Sequence, residues 1–291
     1  MSGFRRMDIP GRAPLGDDFL SYDAFLDYID DRARAWRRKH KTEEAGERHR
    51  YDSAVEFALE SARAGMDIPP MSQVSVESLT ARAVAEGPAP AYVPDVCGEV
   101  IDIGAAIAGE PESMVAYRSA PTLTGVVRIL INRVGSAGTS DAMVAKVGAM
   151  ACALCQTIEC LGRPLEVWTV AALRRHGEQV GPGQPASHEL LIRVKAGGEP
   201  IDPRRLAYAM GNRQWERTLE FFYLDSHDDA RVRAYGEADD YAIGAKSYAE
   251  SSLVIPHLYG TLATKVTVAQ LEDQMLVWLR NAGVLMSKAD E

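Results

Sequence analysis

The chain has 291 residues, 46% of them apolar, enough to bury a real core in one large domain or two ordinary ones. A formal net charge of −9 and a pI near 5.3 argue against a general nucleic-acid coat or an anionic membrane surface as the main partner. Apolar runs such as VVRILI fall far short of the roughly 18 residues that span a bilayer, and the N-terminus lacks an apolar signal core, so a cytoplasmic protein is expected.

Residues 17–64 read as helical. The aromatic and apolar positions of FLSYDAFLDYIDDRARAWRRKHK are spaced for one buried stripe, and a second helix begins near Ser53 in SAVEFALESARAGM. Residues 65–95 turn proline-rich (DIPPMSQVSVESL, EGPAPAYVPDV) and predict an extended surface connector. The chain therefore divides into an N-terminal helical extension with its connector, 1–95, and an α/β domain, 96–291. GEVIDIGAAIAGEPESMVAYRS opens the latter with a short strand, a short helix and a further strand.

From residue 126 the pattern becomes strand, helix, strand. VVRILI is β-branched and apolar, Ser140 supplies a helix cap with Asp141 in the first turn, the helix runs to Gly162, and LEVWTVAAL is the next strand. This is a βαβ unit with parallel strands. The loop GEQVGPGQPAS leads to the strand ELLIRVK, the turn AGGEP, and the helix DPRRLAYAM, with Asp202 as cap and Pro203 at its first position. TLEFFYLD reads as a strand ending at Asp225. The acidic SHDDARVRAYGEADDYA follows, then a last strand in SLVIPHLY and a closing helix in TVAQLEDQMLVWLRNAGV. Such alternation predicts a three-layer, doubly wound, mostly parallel sheet of Rossmann-like kind, with helices on both faces.

Cys152, Cys155 and Cys160 fall within one predicted helix. A redox C-x-x-C would open its helix rather than lie inside it, and zinc would need ligands that the distant Cys97 does not complete, so the cluster reads as core thiols. Trp168, Trp215 and Trp278 read as core or interdomain anchors. GEPES and GPGQP are turns, since neither carries the lysine of a phosphate loop.

Three strand ends, INRVGSAG, AGGEP and LDSHDD, are expected to converge at one edge of the sheet. This layout resembles a von Willebrand factor A domain, whose metal-ion-dependent adhesion site uses an Asp-x-Ser-x-Ser turn, a threonine in a later Gly-Gly-Thr-Pro loop, and an aspartate ending the next strand. By that resemblance Asn132 stands for the first aspartate, Val134 for the first serine and Ser136 for the second. Glu199 replaces the threonine, and Asp225 matches the last aspartate. A hard divalent cation wants several oxygens with net negative charge. The set Asn132, Ser136, Glu199 and Asp225 is thus either an altered Mg²⁺ site or a metal-free relic, and the relic is favoured.

From the front helices through GEVIDIGAAIAGEPESMV to GGEPIDPRRLAYAM, most of the sequence, the chain is also similar to an uncharacterised family of bacteriophages and prophages, which implies a viral setting. Many von Willebrand factor A domains in bacteria and phages are adaptors for MoxR-type AAA+ ATPases. The resemblance therefore implies a protein-binding module serving such an ATPase or virion assembly. Its docking face would hold Asn132, Ser136, Gly198, Glu199, Asp225 and Asp228.

Two alternatives stand beside this one. Strand–VGSAG–helix also looks like the nucleophile elbow of α/β-hydrolases, with Ser136, Asp225 and His257 in that fold's order, but Val134 replaces its first glycine and no oxyanion segment is evident. The basic stretch RARAWRRKHK, with Arg32, Arg34, Arg37, Arg38, Lys39, Lys41 and Trp36, could contact nucleic acid. Asp17, Asp18, Asp23, Asp27, Asp30 and Asp31 precede it on the same predicted helix, an order that complements a helix dipole and favours a solvated helix.

Overall fold

The computed structural model describes residues 4–7, 16–39, 45–67, 76–86, 91–96, 100–118, 126–133, 139–173, 188–228, 253–255, 268–281 and 284–285. The elements in chain order are β1 (Phe4–Met7), β2 (Gly16–Phe19), α1 (Tyr22–Lys39), α2 (Ala45–Ala64), α3 (Val76–Glu86), β3 (Ala91–Asp95), β4 (Val100–Ile101), α4 (Ile103–Ala108) and β5 (Met114–Arg118). There follow β6 (Val127–Asn132), α5 (Asp141–Cys160), β7 (Leu165–Leu173), β8 (His188–Lys195), α6 (Pro203–Gly211), a π-helical segment (Trp215–Glu220), α7 (Phe221–Ser226), β9 (Leu253–Ile255) and α8 (Val268–Asn281).

The predicted βαβ unit is present: β6 and β7 are parallel neighbours joined through α5. Ser140 accepts from the Met143 amide at 3.3 Å, and Asp202 accepts from Arg204 and Arg205 at 3.0 and 3.1 Å, so both expected caps close their helices. α5 is long and apolar enough to cross a membrane by length and composition, although Asp141, Lys146 and Glu159 interrupt its apolar run. Twelve of its residues are buried, and it shares a core cluster with Ile129, Ile131, Leu165 and Val167 of the sheet.

The main sheet is mixed, in the order β1-β2-β8-β7-β6-β9. Pairings β2–β8, β7–β6 and β6–β9 are parallel, whereas β1–β2 and β7–β8 are antiparallel. Phe19, Ala171, Leu190 and Ile192 share a second cluster with α1, α2, α6 and the 215–226 helical run. Leu130, Trp168, Val170 and Leu191, at alternating positions, are buried too but belong to neither cluster. Among the described residues the helices thus stand on one face of the sheet, not on both.

Four further expectations are corrected. TLEFFYLD is helical, not a strand: Trp215, Leu219, Phe222 and Tyr223 lie at i, i+4, i+7 and i+8 and bury one stripe, with Trp215 stacked on Tyr22 at 5.0 Å. Gly16–Phe19 is a strand rather than the start of a helix, so Asp17 and Asp18 belong to the sheet and not to α1. The connector holds the helix α3, whose Leu79 and Ala83 are buried with α5 and α8, and the strand β3. A boundary at residue 95 cuts through one core, because β2 pairs with β8 and α1 and α2 bury Leu26, Ile29 and Leu59 with Leu190 and Ile192. Outside this body, β3, β5 and β4 form a separate antiparallel sheet in that order.

Candidate functional site

Antiparallel pairing of β7 with β8 separates the expected site residues. Asn132 pairs with Val170, which pairs with Leu191, four residues before the end of β8 at Lys195. The turn after β8 therefore lies at the amino end of β6, where a Cβ added to Gly197 would meet Val126. Val126 and Asn132 are six positions apart along the strand, or about 20 Å. At that far rim Gly198 takes a φ of +89° and Glu199 accepts from the Ala196 amide at 3.2 Å, closing its own turn. Asn132 is buried at the opposite rim, and Asp225 is exposed on α7 rather than at a strand end. Ser136 and His257 lie outside the described residues. Asn132 and Glu199 thus cannot share a cation, and among the described residues no group of three or more His, Cys, Asp or Glu is placed to hold a metal.

The rim at the carboxyl end of β6 holds instead a set of buried charges that the sequence did not single out. The buried guanidinium of Arg133 donates to the carbonyl of Met210 and, at 3.5 Å, to that of Asn212, at the C-terminal end of α6. Helix C-terminal carbonyls carry partial negative charge, which suits a cation there. The nearby Glu220 carboxyl is pushed up to about 8 by burial, against the pull of Arg133 and with a further push from Glu216. Farther along this rim, Tyr223 donates its hydroxyl to buried Asp17, and the His227 Nε2 lies 2.8 Å from the same carboxylate oxygen. Aspartates in a stretch read as helix, and an aromatic run read as a strand, concealed this cluster.

A cleft of about 570 Å³ opens beside the same end of α6, lined by Phe57, Ser61, Met66, Asp141, Tyr208 and Gln214 among others. Its lining cation, Arg213, is 3.1 Å from Asp141, so the two charges answer each other.

The thiols are split by exposure. Cys152 and Cys155 are buried, as a core reading requires, whereas Cys160 is exposed. Burial pushes the Cys152 thiol up to about 12 and that of Cys155 well above its usual range, which suppresses thiolate chemistry. On α1 three of the cations meet carboxylates: Arg32 with Asp228 at 2.6 Å, Arg34 with Asp30 at 2.7 Å, and Arg37 with Glu56 at 2.6 Å. These pairs offset much of the field that would attract phosphates. Lys41 lies outside the described residues.

The small sheet carries a surface of another kind. α4 has no buried residue, and its Ile103 and Ile107, at i and i+4, are 69% and 84% exposed. Ile101 and Val96, 58% and 62% exposed, flank the same end of the sheet, where Asp95 and Ile101 both pair with Met114. A six-residue helix is marginal by itself. Here Asp102 caps one end by accepting from the Ala105 amide at 3.1 Å. Gly109, with φ +74°, closes the other through amides of Gly109 and Glu110 given to Ala106 and Ala105. Isoleucines spaced by four in IGAAIAG were the legible signal, and no charge chemistry marked them.

No curated protein and no solved structure matches the chain. One family model, described as Domain of unknown function (DUF7192), matches residues 14–276, from just before β2 into α8. The chain therefore belongs to the DUF7192 family, a membership that covers the main sheet from β2, its helical layer and the small sheet alike.

Proposed function

We propose that this chain is a non-catalytic protein-binding module acting in the cytoplasm, and that its docking face is α4 with the adjoining ends of β3 and β4. The observation that supports this is the exposure of Ile103 and Ile107 on a helix capped at both ends. Single exposed apolar residues are ordinary, but two at i and i+4 on one helix, with exposed Val96 and Ile101 at the adjoining strand ends, mark an interaction surface. A preformed helix presents them without an ordering cost at binding. The adaptor role implied by the von Willebrand factor A resemblance is kept, while its docking face moves from the separated loops to α4. Mg²⁺ has no part in it.

A photo-crosslinking residue placed at Ile107 in the full chain, in the organism that makes it, tests the proposal. A discrete protein adduct that disappears on adding Ile103→Ser, and that is not formed from the same residue at exposed Phe57, is expected. Equal labelling from both positions, or none from Ile107, rejects it. The identity of the adduct decides between an AAA+ ATPase and a virion component.

A further inference from the structure

We infer that the α4 face takes a cationic amphipathic segment of its partner, with apolar residues at helical spacing flanked by Lys or Arg; this rests on the protein-binding role proposed above. From Asp95 to Tyr117 the chain carries Asp95, Glu99, Asp102, Glu110 and Glu112 and no Lys, Arg or His. Of these, Asp102 is exposed at the start of α4, next in sequence to Ile103, and Glu110 and Glu112 are exposed just past its end. An apolar strip between like charges selects a ligand carrying the opposite pattern, since carboxylates steer cations in and repel other partners.

The same charges exclude the simpler occupants. A second copy of the chain would bring these carboxylates against their own equivalents, on a molecule whose net charge is already −9. An anionic lipid surface would be repelled for the same reason. Neutral apolar segments would gain the isoleucine contacts but leave the acids without partners, and so would bind less well than a basic one.

The test uses the full chain and a fluorescent model helix of leucine and lysine, about 15 residues long so that it folds when bound, beside the same helix with glutamine for lysine. The lysine helix is expected to bind, and to weaken as salt is raised, because exposed charges about 10 Å apart are largely screened at 0.1 M. Ile103→Ser with Ile107→Ser should weaken it at least tenfold, roughly the loss of one buried aliphatic side chain, with the thermal midpoint unchanged because both positions are exposed. Glu110→Gln with Glu112→Gln should weaken it and flatten the salt dependence.

Equal binding of the glutamine helix overturns the charge selection while leaving α4 as a docking face. Binding of the lysine helix that ignores the isoleucine changes, or no binding of either helix, overturns the inference outright. Self-association abolished by Ile107→Ser assigns the face to a second copy and overturns it too. The crosslink from Ile107 scores the protein-binding proposal separately, whatever the peptides do.

Discussion

Arg133 donates from its guanidinium to the main-chain carbonyl of Met210, so that a buried cation closes the C-terminal end of α6. It follows directly on β6, with its own amide bonded to the Val170 carbonyl at 2.8 Å, and thereby ties the central strands to the helical layer. Arg133→Met would keep the stem and lose the charge, leaving the Met210 and Asn212 carbonyls and the acidic π-helical segment uncompensated. A loss of about 3 kcal/mol in urea unfolding is expected, since removing one partner of a buried charged contact costs more than forming it gains. A change below a few tenths would mean that Arg133 is not what holds this end of α6.

Glu220 should make stability depend on pH in a direction opposite to that of most carboxylates. Its folded pKa, about 8, lies above its ordinary 4.5, so between those values the folded state holds more protons than the unfolded state. Stability from this group is therefore fully present below 4.5, falls as pH rises through that window, and is lost above about 8. Glu220→Gln cannot titrate. Urea midpoints of both proteins across the window should show wild type losing ground to the variant as pH rises, and a constant difference would contradict the shift.

The backbones of α5 and α6 meet at Gly148 and Gly211. A Cβ added at Gly148 would sit 2.2 Å from the Gly211 Cα, whereas one at Gly211 would sit 3.5 Å from the Gly148 Cα. Gly148→Ala must push two helices apart, at a cost of about 3 kcal/mol or more, and Gly211→Ala should cost under about 1 kcal/mol. Thermal melts of the two variants give the comparison, and similar melting points would refute the stated packing.

Tyr223→Phe removes the hydroxyl that donates to buried Asp17 while keeping the ring beside Phe19, 6.0 Å between centroids. The expected cost is about 1.5–3 kcal/mol, the range for a hydrogen bond to a charged group. Chemical denaturation measures it, and a neutral result would show that Asp17 relies on its other contacts.

Calorimetric titration with Mg²⁺ should give no heat of specific binding. Asn132 and Glu199, two of the four oxygens expected at one site, lie at opposite rims about 20 Å apart, and Glu199 already accepts the Ala196 amide. A stoichiometric isotherm lost on Glu199→Gln would reverse that conclusion.

The parts of the fold legible in the sequence are those carried by neighbours along the chain. Ser140 and Asp202 announce their helices by side-chain chemistry one turn deep, and β6, α5 and β7 each keep one period through their length. The run 215–226 misled because Thr218, Phe221, Phe222 and Tyr223 are good strand formers, yet their partners on β2 and α1 reward a stripe at helical spacing. The direction of β8 was less hidden. GEQVGPGQPAS contains no helical pattern, and a parallel return generally needs a crossover helix, so an antiparallel neighbour was the better inference.

By itself the sequence determined the α/β class, the βαβ unit at 126–173, two helix caps, a net negative charge, and a short helix within GEVIDIGAAIAGEPESMVAYRS. Tertiary structure alone decided which strand ends share a rim, that Asp17 and His227 meet across 210 positions, and that no described residue buries Ile103 and Ile107. The reason is physical: caps and periodicity are local free energies written residue by residue. Strand direction and burial depend on which distant surfaces find each other, and no single segment carries that information.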